Sequence, residues 1–395
     1  MESPQVLHPQ QRLESIDMLR GLAMVFMALD HSRDFFSHGH YFFDPVDLLH
    51  TTAGFFITRW ITNFCAPVFI FLSGVGLFFS FSHGKTLGQI QKTLVTRGLW
   101  LIFLEFTFVR LGWYFNFDYH YVKLGVIWCI GWCFITLAGL MVLPRWLVGL
   151  LGLVMIAGHN LLDLLTPETF GAFGWLWRIL HVPGVLQPVS GYEVVVKYPL
   201  IPWIGVMAAG YAIGPVFRWE ASLRRKLFLG LGMGLVLVFI ILRGLNLYGD
   251  PNPWTIQSTR LFTFFSFLNC QKYPPSLLYL LIALGPAFLA LAWCEELPAQ
   301  LTRPLVLLGQ VPFFFYILHL PLLHAIAVGT ELVRYGEADW LFANPPWQVW
   351  PIDYSHDLVS TYLAWMMGAL ILYPACRWYA GLKSRHRDWW WLYYL

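Results

Sequence analysis

The feature that most limits what this chain can become is its series of long apolar stretches. They fall at roughly 16–37, 54–82, 92–112, 124–143, 146–164, 199–217, 226–246, 274–294, 304–328 and 357–379, each long enough to cross a bilayer. An open sheet edge cannot survive in lipid, so the architecture they demand is a bundle of helices. Composition agrees: 58% of the 395 residues are hydrophobic, only 12% are charged, and the mean hydropathy is +0.59. The expected fold class is therefore all-α, a polytopic transmembrane bundle of about 10–11 helices. It divides into a polar N-terminus over 1–14, a membrane domain over 15–380 and a basic, aromatic C-terminus over 381–395.

Charge gives the bundle a direction. Lys85, Lys92, Arg145, Arg218, Arg224, Arg225, Lys226, Lys383, Arg385 and Arg387 fall in alternate, mostly short loops. The positive-inside rule puts those loops and both termini in the cytoplasm, the expected membrane being a bacterial inner membrane. The opposite side receives the longer aromatic and proline-rich connections 38–53, 165–198, 247–273 and 329–356. The first fourteen residues are polar and hold Pro4 and Pro9, so no cleavable signal peptide is expected. The terminal run Trp389–Tyr394 reads as an interfacial anchor among membrane lipids. Leu261–Phe267 is aromatic but too short to span, as a re-entrant or interfacial segment would be. The net charge of +3 contains no basic run beyond Arg224-Arg225-Lys226, which sits between two apolar segments, so nucleic acid is not an expected partner. Cys129 and Cys133 share a helix face with no histidine at ligand spacing, and the six cysteines read as small core residues. Lys197-Tyr198-Pro199 and Lys272-Tyr273-Pro274 echo each other, which prolines at helix starts and interfacial Tyr and Lys would explain.

Within the first apolar stretch, Arg20 and His31 lie eleven positions apart. Eleven residues make three turns plus roughly 20°, so the two side chains share a face, separated by a rise of about 16 Å. Arginine inside a membrane helix costs about 2.5–3.5 kcal/mol on insertion scales, which favours a functional partner over simple snorkelling. Asp34 is one turn beyond His31 and is placed to orient its ring, as a carboxylate behind a general base does. Asp30 points about 100° away from it.

The following loop holds His38, His40 and His50; the second helix carries Arg59 and Asn63 on one face. Glu105, Arg110, His159, Asn160, Arg243, His319 and His324 complete the buried polar inventory. His159 and His324 read as structural, whereas His319 follows Gly309-Gln310-Val311-Pro312, a sequence that suggests a broken helix lining a cavity. Phosphate-loop, dinucleotide, zinc-protease and serine-hydrolase motifs are all missing, and no metal is expected.

Arg20, ten residues, then His31 resembles the Arg-x10-His signature of the large family of membrane acyltransferases. More closely, Ser15–Met24, Asp30-His31-Ser32-Arg33-Asp34, Thr58–Thr62, Cys65-Ala66-Pro67, Pro67–Gly74, Lys272–Ser276 and Gly309–Pro312 leading to His319 resemble the heparan-α-glucosaminide N-acetyltransferase catalytic family. The likeness covers most of 15–380. It implies an integral membrane enzyme that moves an acetyl or other acyl group from cytoplasmic acetyl-CoA to an amine or hydroxyl of a glycan or amino sugar outside. It further implies a catalytic histidine between helices one and two, which His50 matches only across a gap, while His31 stands where the lysosomal relatives have asparagine. The catalytic set is thus His31 or His50, with Asp34. Arg20, Asp30, Arg59, Asn63, Lys272 and His319 are the candidate contacts for acyl-CoA and acceptor, and a homodimer is compatible. Two other classes fit the residues: a carrier using Arg59, Glu105 and Arg243, and a b-haem protein ligated by His159 with His319 or His324.

Overall fold

The computed structural model describes residues 13–36, 44–80, 86–294, 296–344, 349–351, 357–386 and 388–393. The apolar stretches form an all-α polytopic bundle. Among the described residues, seven helical segments are long and apolar enough to cross a membrane: Ala53–Phe79, Arg145–Leu162, Leu200–Arg218, Ala221–Leu245, Leu277–Cys294, Pro312–Tyr335 and Leu358–Arg385. Val126–Leu140 is apolar but shorter. Glu14–Phe36, called α1 here, is also helical but carries the charges discussed above. Leu150, Leu153, Leu237, Ile240, Ile241 and Leu370 are left exposed on their helices, as residues facing lipid are.

The first helix is central. It touches the helices Ala299–Gln310, Pro312–Tyr335, Leu358–Arg385 and Cys65–Ser80. Its approach to Ala299–Gln310 is set by glycine on both sides: a Cβ on Gly21 would lie 1.9 Å from the Leu305 carbonyl oxygen, and one on Gly309 1.7 Å from that of Asp17. Backbones this close are how membrane helices gain contact without a hydrophobic driving force between them. The Trp365 indole N–H donates to the Val25 carbonyl at 2.8 Å and fixes the C-terminal helix against the same element. The Gly-Gln-Val-Pro sequence breaks its apolar stretch as expected: one helix stops at Gln310, and Pro312 opens the next at a position where its missing N–H is harmless.

At the end of the bundle that holds His31, the chain adds a small sheet that hydropathy did not foreshadow. Tyr121–Leu124 pairs in parallel with Glu193–Val196, which pairs antiparallel with Gly184–Leu186. Val122, Leu124 and Val196 are buried, and this alternation turns Lys123 and its neighbour Lys197 towards the interior of the bundle. Arg260–Leu268, the short aromatic segment, is a nine-residue helix capped by Thr259.

Candidate active site

A cavity of about 450 Å³ opens between α1, the second helix and the sheet. It is lined by both carboxylates of the Asp30–Asp34 run, by His31 and Arg33, by Arg59 and Thr62, and by Lys123, Lys197, Lys272 and Tyr273. Asp30 is its electrostatic centre. Its Oδ1 accepts from the Thr62 hydroxyl at 2.8 Å and from Arg33 at 3.1 Å, with Arg59 at 3.5 Å, while Oδ2 lies 3.8 Å from the Lys272 ammonium. Three cations converge on one carboxylate. Asp30 is therefore an organiser of the cationic wall, a role its divergence from His31 already left room for.

His31 is supported independently. Its Nδ1 lies 3.1 Å from Asp34 Oδ2, and the other Asp34 oxygen accepts from Arg33 at 3.0 Å. With Nδ1–H donated to the carboxylate, Nε2 is left as the basic atom, the arrangement that prepares an imidazole to receive a proton. Trp113 meets the ring edge-to-face at 4.9 Å, and the His319 ring lies 5.1 Å away. His319 is fully buried, holds the Tyr316 carbonyl through Nδ1 at 2.6 Å and does not line the cavity, so it packs behind His31. Asn63 accepts from Arg59 at 3.2 Å and likewise supports a lining residue from behind.

His50 is elsewhere. It is 63% exposed, pairs with Asp47 at 2.7 Å, and is not among the described residues lining the cavity. That hydrogen bond, reinforced by the Leu49 backbone N–H, draws the Asp47 carboxyl below its ordinary range. His38 and His40 lie outside the described residues, as do Trp347 and Tyr354 of the aromatic connection 329–356.

Arg20 faces a second cavity of about 320 Å³, together with Arg97 and Trp100. It donates to the Leu72 carbonyl at 2.9 Å and lies 3.6 Å from Asp17. Met27, Phe69, Val126 and Tyr316 line both cavities, so the two spaces meet at a common apolar wall midway along α1. The expected shared face of Arg20 and His31 is thus realised as two consecutive chambers along one helix.

Several lining residues carried little sequence signal. Arg33 was visible only as part of a polar run, and Lys123 depends on strand pairing. The echoed Lys-Tyr pairs do carry a signal, but in place of an interfacial role both line the cavity. Lys197 sits 4.9 Å above the Tyr273 ring. Burial opposes ionisation of the Tyr273 phenol, but Lys197, Lys272 and Arg59 outweigh it and bring it down to about 7. Burial, with Lys197 nearby, pushes the Lys123 ammonium down to about 8, and burial with the Arg59 charge also lowers Lys272. Glu105 lines the cavity but is engaged as a cap, accepting from the Gly125 and Trp128 backbone N–H groups at the start of Val126–Leu140. Arg243 is bound to the carbonyls of Ser266, Phe267, Asn269 and Asn252 and lies 3.8 Å from the Asp250 carboxylate, so its charge is engaged within the connection 247–273. His324 contacts the Gly112 and Leu341 carbonyls through its two nitrogens, which leaves neither for haem.

The sequence model of the heparan-alpha-glucosaminide N-acetyltransferase catalytic family matches residues 12–248, more than half of the chain. The chain belongs to that family. The matched region contains both chambers' α1 walls, Arg59, Lys123 and Lys197, whereas Lys272 and His319 lie beyond it. Membership in the heparan-alpha-glucosaminide N-acetyltransferase catalytic family makes the protein a membrane acetyltransferase. No curated protein sequence matches it.

Proposed function

We propose that this protein transfers acetyl from acetyl-CoA to an amine or hydroxyl of an amino sugar or glycan, with the two chambers holding donor and acceptor. The observation that carries this reading is their meeting at Met27, Phe69, Val126 and Tyr316, between Arg20 and His31. Acetyl-CoA has a polyanionic nucleotide and a thin pantetheine arm comparable in length to the ~16 Å rise between those residues. Arg20 and Arg97 suit the phosphates at the cytoplasmic mouth, and the thioester then reaches the His31 chamber. The Lys/Arg asymmetry of the loops, which assigns Arg20 to the cytoplasmic side, supports this direction.

The acceptor nitrogen or oxygen attacks the thioester carbonyl carbon while His31 Nε2 takes its proton. Asp34 holds the resulting imidazolium. The carbonyl electrons collect on oxygen in a tetrahedral intermediate, and Arg59 and Lys272 supply positive charge beside it. Collapse re-forms the carbonyl, breaks the C–S bond and releases CoA thiolate, which recovers the proton from His31. A positioned base of this kind contributes about 10²–10⁴ in rate. His50, exposed and apart from the cavity, lies outside this scheme.

The test is transfer of labelled acetyl from acetyl-CoA to glucosamine by detergent-solubilised protein. His31→Ala should lose at least about 10² of the turnover with acetyl-CoA binding kept, and His50→Ala should stay close to the parent. The reverse pattern refutes His31 as the base. Failure of the parent to cleave acetyl-CoA with any amine or hydroxyl acceptor refutes the reaction.

A further inference from the structure

A second polar cluster lies apart from the catalytic cavity, where the helix Arg145–Gly158 ends. His159 follows that helix directly, Asp163 lies one turn further on, and His181 closes the short helix Gly174–Leu180. One ligand-type atom from each residue lies within 4.8 Å of the other two. His181 Nε2 is 2.9 Å from Asp163 Oδ1, and the two imidazole rings stand 5.6 Å apart. Both histidines are only 1% exposed, whereas Asp163 retains 24% of its side-chain surface and gives the cluster a door to solvent.

The cluster is incomplete as a hydrogen-bond network. The Pro275 carbonyl approaches one nitrogen of His159, whereas the other His159 nitrogen and Nδ1 of His181 have no hydrogen-bond partner among the described residues. Burying an imidazole with unmatched nitrogens costs free energy that folded proteins seldom leave uncompensated. Two imidazoles and a carboxylate converging from three backbone positions are a donor set for a first-row divalent cation, and nitrogen-rich sets of this type suit zinc. An outer layer is already built. The Asn160 amide N–H donates to the second Asp163 oxygen at 2.8 Å, and its Oδ1 accepts from the Leu277 backbone N–H at 2.9 Å. Such partners fix the orientation of metal-binding carboxylates.

We propose that His159, Asp163 and His181 bind a divalent transition-metal ion of the zinc class. The ion staples the connection 164–180 to the end of Arg145–Gly158. Through Asn160 and Leu277 it also steadies the segment that carries Lys272 and Tyr273 into the catalytic cavity. It takes no part in acyl transfer. The sequence showed no metal motif because His181 is brought to the other two by the fold, and His159 read as structural.

Untagged protein, stripped with chelator, should take up one equivalent of Co²⁺ with visible d–d absorption and retain it through gel filtration. Zn²⁺ should displace it. Losing an outer-layer partner weakens metal binding about 10–100-fold, so removing a ligand should cost at least about 100-fold. His159→Gln and Asp163→Asn should each do so, whereas His120→Gln, on the exposed surface, should bind as the parent does. If His159→Gln does not give monodisperse protein, Asp163→Asn carries the comparison, since it preserves size and the contact with Asn160. Absence of Co²⁺ uptake by the parent overturns the proposal. So does uptake that is the same in parent, His159→Gln and Asp163→Asn.

Discussion

Replacing Asp30 by asparagine should destabilise this protein more than replacing any one of the cations around it. Asp30→Asn keeps the side-chain volume and an acceptor for Thr62, so the change is essentially one of charge. At an effective dielectric constant of 20, ion pairs at the separations of Arg33, Arg59 and Lys272 correspond to about 4–5 kcal/mol each before desolvation is counted. Desolvation removes most of that, and the 16% exposure of the Asp30 side chain admits some cavity water. What survives is the cost of leaving buried cations uncompensated, about 3–5 kcal/mol, with the lower end favoured by that exposure. Lys272→Met leaves Asp30 with both guanidinium groups and should cost about 1 kcal/mol. In the double variant the mutual repulsion is partly relieved, so its loss should fall short of the sum by about 1–3 kcal/mol. Reversible unfolding in mixed micelles, followed by tryptophan fluorescence, measures all three. An Asp30→Asn loss of less than about 0.5 kcal/mol, or strict additivity in the double variant, would refute the view that Asp30 organises the cationic wall.

Arg20→Ala should raise the dissociation constant of acetyl-CoA by one to two decades, from loss of a charge-assisted hydrogen bond of about 1.5–3 kcal/mol. Arg20→Lys should fall between. An acetyl-pantetheine donor lacking the nucleotide should be far less sensitive, and equal losses for both donors would reduce Arg20 to its contacts with Asp17 and Leu72. Absorbance at 295 nm should show one tyrosinate forming near pH 7, absent from Tyr273→Phe and shifted upward in Lys197→Ala. Because the folded chain releases this proton before the unfolded one, the Tyr273 contribution to stability grows from about pH 7 towards 10 and is lost below. A parent protein with no tyrosinate below pH 9 would show that Lys197 and Lys272 do not dominate the phenol.

The helices were legible because a bilayer-length apolar run has few alternatives, and the break at Val311 was legible because proline disfavours a helical residue before it and is favoured in a helix's first turn. Arg20, His31 and Asp34 were legible for the same geometric reason: they sit on one element whose periodicity is fixed by its hydrogen bonding. What escaped depends on distant pairing. Lys123 and Lys197 reach the cavity only because strands of four residues pair in parallel across the intervening helices, and so short a strand has no hydropathy signature of its own. The Lys-Tyr echo was visible, but a membrane interface explains lysine and tyrosine so well that it hid a site. Asp163 and His181 gave no pattern at all until the connection 165–198 folded back.

The choice between His31 and His50 shows where geometry adds most. By likeness alone the base belongs in the loop between the first two helices, and His50 is the residue that a gap can align there. A base must hold one tautomer and one direction through the reaction, which a 63% exposed turn residue paired to an exposed aspartate does poorly. His31 is placed by a central helix, its tautomer is selected by Asp34, and Asp34 is in turn held by Arg33, itself only 2% exposed. Where the lysosomal relatives have asparagine, this chain has a histidine with its supporting carboxylate one turn away. In the proposed mechanism the base therefore sits on the helix and not in the loop, and the Asp30–Asp34 run is the apparatus that holds it there.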